Sequence, residues 1–155
     1  MGIAFLTMGQ SLFAQSRRER KEQLEKKVTG MLDKDHFKIL VDRAVPSSGR
    51  SVNLTSSYSL RIHGDSILAS LPYFGRAYSV PYGGSGGIQF KEVATEKKVS
   101  PIKKGGSMIK FRVKTNDDTY TFQVSVYTNG STTIHVSPAN KQSISYYGDL
   151  ELDVE

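Results

Sequence analysis

From His36 onward the chain alternates apolar and polar residues in short runs separated by turn-forming residues. Phe37, Ile39 and Val41 open the pattern, and Tyr58, Leu60 and Ile62 continue it. Ile67, Ala69, Leu71 and Tyr73 follow, then Ile88 and Phe90, then Ile109, Phe111 and Val113. Tyr120, Phe122, Val124 and Val126 precede a final clear pair, Ile134 and Val136. A period of two sends one face of each strand into a core and leaves the other to water. The connections are short, among them His63-Gly64-Asp65, Gly105-Gly106, Asn116-Asp117-Asp118 and Asn129-Gly130. Asn129-Gly130 predicts a type I′ hairpin turn, because both residue types accept positive φ. Parallel neighbours need long crossovers, so the sheet must be mainly antiparallel. Seven or eight strands are expected, with Val93 to Ile102 the least clear and Ser143 to Tyr147 the last.

A sheet that is apolar on one face must be covered, by its own curvature or by a helix. One stretch supplies a helix. Within Ser16 to Asp33, Leu24, Val28, Met31 and Leu32 fall at i, i+4, i+7 and i+8 and form a single apolar stripe. Ser16 and Glu19 have the spacing of a capping box at its start, and Asp33 to Asp35 end it. So narrow a stripe persists only when laid on an apolar partner. The predicted class is α+β, mostly β: an N-terminal helix packed on a curved antiparallel meander, either open or closed in part into a barrel.

The segments flanking these elements set the remaining boundaries. Gly2 to Ala14 is apolar, free of charge and followed by a strongly charged run. It has the character of a secretory leader's apolar core, cut near Ala14, although no Lys or Arg precedes it. The other reading is a buried N-terminal strand or helix. The expected division is a leader remnant at 1–14, a helix at 15–35, the β domain at 36–148 and an acidic tail at 149–155. In that tail Asp149, Glu151, Asp153 and Glu155 alternate with Leu150, Leu152 and Val154, so it either extends the last strand or frays.

Composition narrows the function classes. At 155 residues the chain is one domain with room for a core. No apolar run approaches the roughly 18 residues of a membrane helix, so no transmembrane span is expected. There is no cysteine, which removes disulfides, thiol chemistry and thiolate metal sites. The net charge of +6 is dispersed: six basic residues in Arg17 to Lys27 interleave with Glu19, Glu22 and Glu25, and Lys97, Lys98, Lys103 and Lys104 form a second group. No recognition helix, zinc-finger spacing or RNA-binding aromatic motif accompanies them, so a nucleic-acid partner is not expected. His36, His63 and His135 are isolated, without metal-ligand spacing, and no metal or other cofactor is expected. Asn116-Asp117-Asp118 has the oxygen ligands of a cation site but also the residues that a turn requires.

Tyr73 to Phe90 is the most unusual stretch. It gathers Tyr73, Phe74, Tyr78, Tyr82 and Phe90 with Gly75, Gly83, Gly84, Gly86 and Gly87 around Arg76. Aromatics give large, stiff contact area, and an arginine between them can stack while offering its fork to a carboxylate or phosphate. Two readings follow: a loop crossing one end of the sheet for structural reasons, or the wall of a binding cleft. Gly83-Gly84-Ser85-Gly86-Gly87 also matches the serine nucleophile elbow, but a strand rather than a helix follows, and His135 is expected to face solvent. Ser85 is therefore a poor nucleophile candidate, and no catalytic constellation is found.

The run Tyr73-Phe74-Gly75-Arg76-Ala77-Tyr78-Ser79, then Pro81-Tyr82-Gly83-Gly84 and Gly86-Gly87-Ile88, resembles an uncharacterised bacterial family, domain of unknown function 4251. Ser143-Ile144-Ser145-Tyr146-Tyr147-Gly148, Gly49-Arg50-Ser51 and the Asn116 to Ser131 hairpins share the likeness, which spans roughly residues 30 to 148. The resemblance implies an exported protein of Gram-negative bacteria, in the periplasm or at the cell surface, and brings no activity or cofactor. The leading expectation is a non-catalytic module of the bacterial envelope that binds a small polar ligand. Its candidate site is Tyr73, Phe74, Arg76, Tyr78, Tyr82, Gly83, Gly84, Ser85 and Gly86, joined by Tyr146 and Tyr147. The alternative is an envelope domain that docks on another protein through a sheet edge or the basic helix. The Lys-rich segment 97–104 argues that one such edge is protected.

Overall fold

The computed structural model describes residues 2–47, 49–74, 87–116 and 118–152. Helix α1 runs Gly2–Lys34 and is followed by β1 (His36–Pro46), β2 (Val52–His63), β3 (Ser66–Pro72), β4 (Gly87–Val93) and β5 (Thr95–Pro101). Then come β6 (Gly106–Lys114), β7 (Thr119–Tyr127), β8 (Ser131–Pro138) and β9 (Ile144–Leu150). The sheet has nine strands rather than the seven or eight expected, with the least clear stretch, Val93 to Ile102, present as β5. All ladders are antiparallel, in the order β4-β3-β2-β1-β9-β8-β7-β6-β5.

The two end strands of that order are successive in the chain. Only Ala94, buried at 6 % exposure, separates β4 from β5. The far ends of the sheet are thus tied together at one corner, and the sheet curls into a nearly closed barrel. Rings bridge the gap between them: Phe90 of β4 stacks on Tyr120 at 5.7 Å and meets Phe122 edge-on at 5.9 Å, and Phe122 stacks on Phe111 at 5.0 Å. Such pairs contribute about 0.5–1.5 kcal/mol beyond the area they bury.

The inward residues are those the alternation marked. Phe37, Ile39, Leu60, Ile62, Ile67, Leu71, Phe111, Phe122, Val124, Ile134 and Val136 are buried in one core. Val28 of the helix joins that core, with Leu24, Met31 and Leu32 packed against it. The helix begins well before Ser16, which lies inside it and caps nothing. Its C-terminal end is as expected: Asp35 takes a left-handed φ of 55° and its carbonyl accepts the Gly64 N–H at 2.8 Å. Lys97, on the opposite side of the seam, donates to the Asp35 carboxylate and to the Gly64 carbonyl. That inward turn accompanies a break in the β5–β6 register between Thr95 and Lys98, with Glu96 at a φ of 53°. The irregularity, with Lys98 exposed beside it, blunts the β5 edge.

One turn differs from expectation, and one strand carries an added residue. The β7–β8 connection has three residues, Thr128 to Gly130, and only Gly130 has positive φ (91°). The Gly130 N–H donates to the Tyr127 carbonyl, and the Asn129 side chain accepts the Ser131 N–H. Asn129 spends its amide on the turn instead of entering the left-handed region, so the loop is not type I′. On the other side of the sheet, Asp42 is an extra residue in β1, which shifts the register from Val41↔Gly148 to Arg43↔Tyr147. Gly148 meets β1 there so closely that a Cβ would lie 2.0 Å from the Leu40 carbonyl oxygen.

Gly148→Ala should therefore lower stability by about 3 kcal/mol, the upper end for overpacking. Gly30→Ala, at a helical glycine with nothing within 4 Å, should raise it by about 0.5–1 kcal/mol. Denaturant unfolding of the two variants should give midpoints displaced in opposite directions.

Candidate functional site

The end of the barrel from which segment 75–86 departs is built from four side chains. Tyr73 follows the last residue of β3, Tyr120 and Tyr146 point inward from β7 and β9, and Lys141 lies on the β8–β9 connection. The Tyr73 hydroxyl donates to the Gln142 carbonyl at 2.7 Å. The Tyr146 hydroxyl, fully buried, donates to the Pro72 carbonyl. The Lys141 ammonium donates to the Tyr120 hydroxyl at 3.0 Å and lies 5.4 Å and 5.3 Å from the Tyr73 and Tyr120 ring centres. A cation held over two ring faces and a phenol oxygen is favourably placed.

Electrostatics at this end are dominated by burial. Desolvation pushes the Tyr146 hydroxyl well above the usual phenol range, and the neighbouring phenols of Tyr73 and Tyr120 push it in the same direction. Tyr146 is thus a fixed donor. It ties β9 to the end of β3, as Tyr73 ties the root of the 75–86 segment to the β8–β9 connection.

That connection is itself clamped. Asp118, at 5 % exposure, accepts through its carboxylate the N–H groups of Thr119, Ala139 and Asn140, and the Asn140 side-chain amide. Its own N–H donates to the Thr115 hydroxyl at 3.1 Å. Asp118 thus works as a hydrogen-bonded staple rather than as a cation ligand, and it holds the two residues before Lys141. Asp117 lies outside the described residues.

The expected site divides. Tyr73 and Tyr146 do come together, although far apart in sequence. Phe74 is 37 % exposed beside them. Arg76, Tyr78, Tyr82, Gly83, Gly84, Ser85 and Gly86 lie outside the described residues. Tyr147 does not join: alternation turns it to the outer face, where the Arg43 guanidinium covers its ring at 4.5 Å. Arg43 and Tyr147 line, with Asp42, Asn53, Ser131 and Thr133, a shallow groove of about 510 Å³. His135 faces outward as expected, with its Nδ1 2.9 Å from the Ser145 hydroxyl. Tyr120 and Lys141 were not foreseen. Tyr120 reads as an ordinary inward strand residue, and only its buried hydroxyl, which needs a partner, could have signalled more. Nothing local marks Lys141. Among the described residues, no group of three or more His, Asp or Glu is placed to hold a metal ion, and no helix is long and apolar enough to cross a membrane.

Two outcomes test this construction. Tyr146 is neutral when folded, whereas an unfolded tyrosine ionises near pH 10, so its contribution is whole below that pH and lost as pH rises above it, by up to about 1.4 kcal/mol per unit. Stability measured between pH 9 and pH 11 (roughly the onset of phenol ionisation) should fall less steeply in Tyr146→Phe than in the parent. Asp118→Ala removes the shared acceptor of the part-buried Thr119, Ala139 and Asn140 N–H groups and should cost about 1–3 kcal/mol in chemical unfolding, with Asp118→Asn intermediate.

Comparison with known proteins agrees with this architecture. A crystal structure of a DUF4251 family protein from Bacteroides eggerthii aligns with a TM-score of 0.62 at 15 % identity, covering 82 % of this chain and 86 % of the other. At that identity the likeness concerns the fold alone. A search of curated proteins gives no match. The family model described as Domain of unknown function (DUF4251) matches residues 19–150, and the chain belongs to that family.

Proposed function

We propose that the protein is a non-catalytic ligand-binding module of the bacterial envelope, which meets a small polar ligand at the tyrosine end of the barrel. One observation carries the reading: Tyr73 and Tyr120 face the Lys141 ammonium, with the Tyr146 phenol neighbouring both, at the root of the 75–86 segment where Phe74 is exposed. Aromatic faces with one cation suit a hydroxylated or anionic solute of modest size. The three phenol oxygens are engaged within the protein and the Tyr120 and Tyr146 rings are buried, so the chemistry offered to a ligand is that of the half-buried Tyr73 ring, Phe74 and the lysine. Export rests on the apolar, uncharged character of Gly2 to Ala14.

A thermal-shift panel of sugars, phosphates, carboxylates and short peptides tests the site. One class should raise the melting temperature, with about 2.7 kcal/mol of stabilisation at a hundredfold excess over the dissociation constant. Lys141→Ala and Phe74→Ser should abolish that shift while leaving the unliganded melting temperature within a few degrees. A panel without effect, or a shift that both variants retain, overturns the reading. Fractionation of the expressing cell, with sequencing of the mature N-terminus, tests export; a cytoplasmic, uncut chain would refute it.

A further inference from the structure

The outer face of β1 to β4, well away from the phenol cluster in register, interleaves cations with exposed apolar side chains. Lys38, Arg61, Leu68 and Lys91 are successive cross-strand partners, and so form one line across four strands at about 4.8 Å per strand. His36, His63, Ser66 and Val93 form the next line. The His36 and His63 rings meet edge-on, with centres 4.2 Å apart. Arg61, His63, Ser66, Leu68 and Lys91 line a groove of about 230 Å³. Lys38, Arg61 and Lys91 form no ion pair with any described residue. Leu40, Leu68 and Val93 are 43 %, 43 % and 65 % exposed, and they are three of the five large apolar side chains exposed among the described residues. Acidic residues border the two lines at Asp42 in β1, Asp65 in the β2–β3 turn, Glu92 in β4, Asp149 opposite Leu40 and Glu151, whose N–H donates to the Lys38 carbonyl; none lies between Arg61 and Lys91.

We propose that this face docks on an anionic phospholipid surface. A headgroup phosphate sits in the groove between Arg61 and Lys91, within reach of the Ser66 hydroxyl, while Leu68, Val93 and Leu40 enter the headgroup–acyl boundary. Charge complementarity selects the anionic surface, and the apolar residues select a lipid among anionic partners. A nucleic acid would match the cations but leave Leu40, Leu68 and Val93 without a counterpart, and the two lines carry no Phe, Tyr or Trp on which a base could stack. A bilayer interface satisfies both kinds of side chain at once.

Co-sedimentation of the full chain with phosphatidylcholine vesicles, with and without phosphatidylglycerol, tests the proposal. Binding should require phosphatidylglycerol and weaken as salt rises. Arg61→Gln with Lys91→Gln should weaken it at least about tenfold, and Leu68→Ser should weaken it without changing the charge. Lys98→Gln with Lys110→Gln removes the same charge from β5 and β6 and should leave binding nearly intact. Absence of binding, equal binding to phosphatidylcholine alone, or equal loss in the two double variants would overturn the proposal. Inorganic phosphate at millimolar concentration, titrated without vesicles, should leave the His63 imidazole resonances unmoved; a saturable shift there would reassign the groove to a free phosphorylated solute.

Discussion

The ladder between β1 and β9 makes one sheet out of two. Strands β1 to β4 form one meander and β5 to β9 another, and hydrogen bonds join the two at the β1–β9 ladder. The far ends of both are joined covalently through Ala94. Closure therefore rests on a ladder on one side and a single buried residue on the other. The ladder runs through a close backbone approach, Gly148 against Leu40, that leaves no room for a side chain. Any Cβ there would force β1 and β9 apart, and the core that Phe37, Ile39, Ile144 and Tyr146 share between them would open with it. The bulge at Asp42 belongs to the same junction, because the added residue places both Asp42 and Arg43 on the outer face while Val41 and Ala44 stay inside.

Each end of the barrel is held by its own polar device, and the two differ in character. At one end Lys97 joins the helix terminus to the β2–β3 turn across the seam. At the other, phenol hydroxyls, Lys141 and the Asp118 carboxylate bind the β8–β9 connection to the end of β3 and the start of β7. The first is a fixed ionic brace. The second surrounds the point after Phe74 where a glycine-rich segment departs, and its rings are packed around hydrogen bonds and one ammonium. The outer face of β1 to β4 is different again, since Lys38, Arg61 and Lys91 form no ion pair with any described residue.

Much of the fold was legible because strand patterning is a local property. Ile67, Ala69 and Leu71 declare their inward face without reference to any other strand, and so do Phe122, Val124 and Val126. What stayed hidden depends on partners distant in sequence. That the unclear stretch after Ala94 is a full strand follows from its pairing with β6, while β4 before it pairs with β3, and no local pattern encodes either. The β7–β8 turn was misjudged because a side-chain hydrogen bond of Asn129 competed with the backbone conformation its residue type permits. Tyr146 and Tyr147 looked equivalent in sequence, yet alternation alone sends them to opposite faces, and register then decides that one meets Pro72 and the other Arg43. Lys141 became visible only through the geometry of the rings it faces.

The β1–β9 ladder also has a consequence for how the molecule comes to be folded. Its two strands are separated by nearly the whole β domain, so their loop-closure entropy must be met before any of their contacts is gained. During synthesis β1 to β4 can form a hairpin ladder early, but the free edge of β1 waits for the last strand to be made. Until then that edge and the apolar face behind it stand open to other chains. A cell making this protein in quantity must therefore shelter that half-built sheet, and the interval is set by the time needed to synthesise roughly a hundred residues, several seconds at ordinary elongation rates.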